Sequence, residues 1–320
     1  MNKLAHLPIA LFASVMGMSG LTLGWLKAGT EGWPVAAPIG FALAITTTTL
    51  LGVLLLAYGL KVLNYREAVA EEARHPIKLN FFAAIPIGLI LVATLWSGTQ
   101  PGLAEPIWWV GIAAMLVATL FTMSSWINHS HYQVGHLNPA WFIPVVGNIL
   151  VPIAGMRLGH HEISWFFFSI GLVFWIILTA LVMNRLIFHD ALPERMRPTL
   201  FILLAPPAVG FVSYLSLNGM TLDALARVLY FTALFLALLL ATNALKFLKL
   251  PFFISGWAYS FPIAAMTVAS FEMGQLSGLF GYVALAWALL VTLSVVVLYL
   301  AYKTLAALVS GKLLAPEPAH

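Results

Sequence analysis

Pro144-Val145-Val146-Gly147-Asn148-Ile149-Leu150-Val151-Pro152 sets two prolines inside an otherwise apolar run. A proline has no N–H, so it leaves a helix carbonyl without its donor, and a bilayer offers no water in its place. Such a run persists only against protein or a wet cavity. Interior prolines recur outward from it at Pro86, Pro206, Pro207 and Pro262. All of them fall in the odd-numbered members of a series of ten hydrophobic stretches, and the even-numbered members have none inside. The alternation predicts an inner ring of bent helices enclosed by an outer ring of straight ones.

The composition points the same way. With 62% hydrophobic and 8% charged residues in 320, the chain lies far outside the range of a soluble domain. Its mean hydropathy of +0.97 reads as that of an integral membrane protein. A spanning helix needs about 20 mostly apolar residues. The odd stretches run over 7–27, 81–97, 137–156, 199–217 and 251–273, the even ones over 38–60, 105–127, 163–187, 222–245 and 278–306. Gly and Pro punctuate short connections, so a single transmembrane channel domain, 1–320, is expected. Met1 to Leu7 lacks a convincing cleavage site and reads as retained.

Short cytoplasmic loops accumulate Lys and Arg. Twelve of the fifteen here share one side: Lys3, Lys61, Arg66, Arg74, Lys78, Arg185, Arg195, Arg197, Lys246, Lys249, Lys303 and Lys312. Only Lys27, Arg157 and Arg227 remain. Both termini are therefore expected in the cytoplasm of a bacterial inner membrane, and the net charge of +4 carries no nucleic-acid message. Every odd–even pair enters from the same side, which predicts an all-α fold of five parallel helical hairpins. The symmetry axis of such repeats lies along the membrane normal and naturally encloses a channel.

The chemistry of the odd stretches is defined by what their central portions lack, namely Asp, Glu, Lys, Arg and His; Glu272 comes only at the far end of the ninth. Intramembrane ionisable groups carry proton coupling and fixed-charge substrate binding, so their absence argues against a proton-driven pump. An uncharged pore passes ions by exchanging some of their water for weak polar contacts, which favours ions that dehydrate easily. Candidate contacts are Ser14, Ser19, Asn148, Ser213, Ser260 and Thr267, with the ordinary alternative that Ser and Thr satisfy carbonyls of their own helix. Asn148 offers two amide donors to a freed carbonyl or a passing anion. In Trp257-Ala258-Tyr259-Ser260-Phe261-Pro262 a phenyl ring stands beside a proline, and Ala258, Ala265 and Val268 share its face. A ring across a narrow apolar constriction would block ions without charge; the plainer reading is one of 21 phenylalanines packed between helices.

Other signals carry less. His129, His131 and His136, and the pair His160-His161 before Glu162, lack the spacing of a structured zinc motif. A membrane enzyme or metal-handling protein built on them is therefore the weakest alternative, and no cofactor is implied. There is no Cys, which removes disulfides and thiolate chemistry. Asp223 and Arg227 stand four apart in the order of a helical ion pair.

Several segments, in order over most of the chain, resemble the TehA family of tellurite-resistance and dicarboxylate-transport proteins, which includes the plant guard-cell slow anion channels. They are Arg74-His75-Pro76-Ile77-Lys78-Leu79-Asn80-Phe81-Phe82 leading to Pro86, then Val145-Val146-Gly147-Asn148, then Ala191-Leu192-Pro193-Glu194 followed by Ala205-Pro206, then Trp257 to Pro262. The resemblance implies a homotrimer in the bilayer, each subunit with its own pore lined by odd helices and occluded midway by a Phe that falls on Phe261. Pro86, Pro144, Pro206 and Pro262 would shape that lining. Bacterial relatives often carry a proline within the first helix, where this chain has Phe12-Ala13-Ser14-Val15, so any bend there would come from Gly17 or Ser14. The function implied is a gated, passive channel for small monovalent anions such as chloride and nitrate. The alternative is a secondary transporter of carboxylates or of an oxyanion such as tellurite.

Overall fold

The computed structural model describes residues 3–128 and 132–315, and among them every regular element is helical. Eight helices are long and apolar enough to cross a membrane: Ile9–Thr30, Ala36–Asn64, Lys78–Trp96, Pro101–Asn128, His161–Phe188, Glu194–Leu217, Ala224–Ala241 and Phe280–Val309. Two further helical stretches accompany them. One is the shorter apolar Pro139–Gly155, and the other joins Ile254–Tyr259 to Ser260–Ser277.

The two kinds of helix differ in what they face. In their most hydrophobic windows, Lys78–Trp96, Glu194–Leu217 and Ile9–Thr30 are 78%, 67% and 61% buried by protein, against 28% for each of the other five. Thirteen of the eighteen residues of Ser260–Ser277 are buried as well. The less buried helices instead present Leu56, Ile127, Phe188, Phe235 and Leu298 outward, an apolar surface suited to acyl chains.

The odd stretches do not bend as single α-helices with a proline in the middle. Each begins as tighter 3₁₀ turns and passes into α-helix: Ile9–Phe12 into Ala13–Thr30, Lys78–Ala83 into Ala84–Trp96, Glu194–Leu203 into Ala205–Leu217, and Ile254–Tyr259 into Ser260–Ser277. In the fifth, Gly147–Leu150 forms the 3₁₀ turn between Phe142–Val146 and Val151–Gly155. Pro86, Pro144, Pro152, Pro206, Pro207 and Pro262 therefore all sit in the first turn of an α segment. The first N–H groups of an α-helix lack an i−4 partner in any case, so proline is tolerated there. Each proline marks a change of helix type. The first stretch makes the same change with no interior proline, Pro8 preceding its 3₁₀ turn. The alternation is not strict, however: Pro106 lies inside Pro101–Asn128, the fourth stretch, which starts earlier than hydropathy alone places it.

Close helix contact depends on small residues. A Cβ on Gly17 would stand 2.1 Å from Ser260 Oγ and 2.9 Å from Trp257 Cε3, and one on Gly20 would stand 2.5 Å from the Ala264 Cβ. The first and ninth stretches are thus pressed together where neither has a side chain to spare. Gly17→Ala should destabilise the protein by about 1–3 kcal/mol through overpacking, read as a lower unfolding temperature in detergent. An unchanged unfolding temperature would mean the ninth helix yields freely.

Several hydroxyls satisfy their own helix, as Ser and Thr in apolar surroundings do. Ser14 donates to Leu11 O (2.7 Å), Ser260 to Trp257 O (2.6 Å) and Thr267 to Ile263 O (2.8 Å). Ser213 crosses to Ile149 O at 2.5 Å, and Ser19 is buried with no partner for its hydroxyl among the described residues. Asp223 does not form the expected ion pair with Arg227. Its backbone is extended (φ −86°, ψ −170°), which turns the carboxylate onto the Ala226 N–H (2.9 Å) and the Tyr214 hydroxyl (2.6 Å) as a helix cap. The cap's backbone hydrogen bond and the Tyr214 hydroxyl hold that carboxyl below the usual Asp range.

Between the second and third stretches, where hydropathy predicts only a connection, Arg66–Arg74 forms a short amphipathic helix. Its buried member is Glu72, and Glu67 and Glu71 are exposed.

Candidate conduction path

Two cavities lie end to end inside the bundle. The first, about 70 Å³, is bounded almost wholly by apolar side chains and lies among the leading halves of the odd stretches, from Ala13, Phe81, Phe142, Ile202 and Ser255 onward. The second, about 270 Å³, lies among the trailing halves, out to Thr30, Gly98, Arg157, Val212 and Glu272, with Lys27 in its wall. In all five stretches the residues lining the first cavity precede those lining the second, so the five cross both cavities in the same direction.

Three side chains belong to both walls: Leu150, Val209 and Phe261. They form an apolar septum. Phe261 is 8% exposed and, among the described residues, stacks on no other ring. Across from it is Gly20, where an added Cβ would come 3.4 Å from Phe261 Cδ2. The ninth-stretch face bearing Ala258, Phe261, Ala265 and Val268 is turned toward the cavities. A septum of two aliphatic side chains and a ring offers an ion nothing in exchange for its hydration shell.

Of the other expected lining residues, Pro206 and Pro262 border the first cavity. Pro86, Pro144, Ser14, Gly17 and Asn148 are absent from both walls. Asn148 is fully buried and donates through Nδ2 to Thr119 Oγ1 (2.9 Å) on Pro101–Asn128 and to Val145 O (2.7 Å), while Thr119 in turn donates to Pro144 O (2.7 Å). Its amide is therefore spent on the backbone of its own stretch and on a neighbouring helix, behind the path. Leu150 and Val209 carry no signal in sequence that separates them from dozens of other aliphatic residues.

Charge enters only at the far mouth of the larger cavity. Lys27 Nζ lies 2.8 Å from Glu272 Oε1 and donates to Gln275 Oε1 at 2.7 Å. Arg157, exposed at the same mouth, makes no hydrogen bond or ion pair among the described residues. The described histidines lie apart from both cavities. His160 stacks on Trp108 and meets Glu105 Oε1 at 2.8 Å, His136 Nδ1 accepts from the Gln133 N–H, and His129 and His131 fall outside the described residues. Among the described residues no group of three or more His, Asp or Glu is placed to hold a metal.

Buried and lipid-facing helices around paired axial cavities define a multi-pass α-helical membrane protein. Residues 6–305 match the family model described as voltage-dependent anion channel. The chain belongs to that family, one of channels and transporters and not of enzymes. It is 27% identical to the S-type anion channel SLAH2 of Arabidopsis thaliana over 275 residues, which cover 84% of this chain and 53% of that protein. It is 29% identical to the Tellurite resistance protein TehA homolog of Haemophilus influenzae over 265 residues, covering 81% and 79%. Against the Guard cell S-type anion channel SLAC1 of Arabidopsis thaliana it is 25% identical over 281 residues, covering 85% and 50%. The chain thus spans about half the length of these plant relatives.

Proposed function

We propose that this protein is a gated, passive channel for small monovalent anions, closed by Phe261. The observation that carries the reading is the position of Phe261, with Leu150 and Val209, in the one wall common to both cavities. The path itself holds no charge until its far mouth, so permeation would rest on weak contacts and favour anions that shed water easily, chloride and nitrate among them. Relatives named as anion channels point to the same substrate class.

The architecture that goes with this reading has ten spans in five parallel hairpins, with the 3₁₀-to-α odd helices inside and the straight even ones outside. The contrast in burial and the shared direction of the five lining stretches support it. The basic side faces the cytoplasm of a bacterial inner membrane, both termini lie there, and one membrane domain assembles as a homotrimer. Native mass spectrometry reads the trimer and cysteine labelling of single-Cys variants reads the orientation.

The rival is a secondary transporter of carboxylates or oxyanions, favoured by Arg157, which is unpaired among the described residues, and by the relative named for tellurite resistance. Reconstituted liposomes separate the two. The channel reading expects chloride flux that is electrogenic and indifferent to an imposed proton gradient, whereas saturable, gradient-driven flux would favour the transporter.

A further inference from the structure

A carboxylate on an anion path would ordinarily repel the traffic, yet Glu272 lines the larger cavity. Its Oε1 is neutralised by Lys27 at 2.8 Å, and the pair is mostly buried, with side chains 16% and 12% exposed. Glu272 Oε2 is buried and has no hydrogen-bond partner among the described residues. Lys27 spends a second donor on Gln275, so its charge is shared between two partners on Ser260–Ser277. Arg157 faces the same cavity from the fifth stretch and is the one cation there, among the described residues, that no partner holds.

We propose that Arg157 forms an anion-binding station at this mouth, with Glu272 acting as an internal anion that ties up Lys27 and so keeps the station weak. Resting on the channel reading, this names the site that concentrates the permeant ion on one face. The logic is electrostatic. A cavity of about 270 Å³ holds several times the ~30 Å³ share of a single water, so an anion there keeps much of its hydration. One unpaired charge about 5–6 Å away in such a wet space raises local anion occupancy by about threefold at low salt, a gain that fades as the Debye length shrinks from ~10 Å at 0.1 M to ~3 Å at 1 M. Weak binding of this size lets the ion leave again, as conduction requires. Were Lys27 released from Glu272, two cations would face the ion and the station would tighten.

Crystals grown in sodium bromide test the site without any need for conduction. Anomalous diffraction should show bromide beside the Arg157 guanidinium in the native protein. Arg157→Gln should lose it, and Glu272→Gln should raise its occupancy. Arg157 is exposed, so its replacement leaves the fold intact. In recordings on the Phe261→Ala background, Arg157→Gln should cut anion entry from this side about threefold in 0.1 M salt and much less in 1 M. No bromide at the mouth in either the native protein or Glu272→Gln, or bromide unmoved by Arg157→Gln, overturns the inference. Bromide at Arg157 together with a Phe261→Ala protein that carries no anion current supports the station and removes the channel reading instead.

Discussion

Replacing Phe261 with Ala should raise the chloride current of the reconstituted protein by about ten- to a hundredfold. Removing the ring joins the two cavities it now separates and widens the septum to what Leu150 and Val209 leave open. An ion then crosses with more of its water in place, and a barrier lowered by about 1.4–3 kcal/mol gives a rate change of that size. Leu150→Ala and Val209→Ala, which thin the same septum without removing its largest member, should give smaller increases. Phe235→Ala alters a ring that is 63% exposed on an outward-facing helix and should leave the current at its native level. Planar-bilayer recording with matched protein amounts decides the matter. A Phe261→Ala current no larger than that of Phe235→Ala would remove Phe261 as the gate.

The second large effect is on stability, at the start of the bundle. Lys61 is 1% exposed, and its ammonium group donates to Leu7 O (2.8 Å) and Glu72 Oε2 (2.9 Å). The Tyr58 hydroxyl donates to the same carboxylate oxygen at 2.7 Å, and the Tyr58 ring meets Phe12 and Phe82 edge-on. Through these contacts one ion pair ties the second helix, the amphipathic segment Arg66–Arg74 and the entrance to the first odd stretch. Glu72→Ala leaves a desolvated ammonium with no counter-charge, only the Leu7 carbonyl and the face of Tyr58, 5.3 Å from the ring centroid, and breaking a buried pair in this way costs about 3–5 kcal/mol. Glu71→Ala, on the exposed side of the same short helix, should have little effect. The double variant Lys61→Met with Glu72→Leu should recover most of the loss, because an apolar pair of similar volume removes the uncompensated charge. Unfolding temperatures in detergent would show the order; equal values for Glu72→Ala and Glu71→Ala would mean that the pair contributes nothing.

Sequence patterns left these residues in the wrong company. Lys61 counts among the twelve cations of one basic side, yet the fold withdraws it from that rim, because a helix terminus, a surface helix and an N-terminal carbonyl converge on it from positions far apart in the chain. Asn148 stands out as the most polar residue of its stretch, but a hydroxyl on a neighbouring straight helix claims it. The prolines separate the odd stretches from the even ones. Their physical role was different, since the 3₁₀ turns before them move the point of strain to an α-helix's first turn, where no hydrogen bond is lost.

What the sequence by itself determined was the solvent of this protein, the position of its apolar helices and the family to which it belongs. Length and hydropathy are local sums, and a bilayer admits few ways to satisfy an apolar backbone. The tertiary structure alone decided which apolar residues form a septum and which pack between helices, and which charges neutralise one another. Leu150, Val209 and Phe261 come together from three stretches, and Lys27 reaches Glu272 across most of the chain. Facing partners of that kind are set by how helices rotate and press against each other, and no periodicity within one helix encodes its neighbour's orientation.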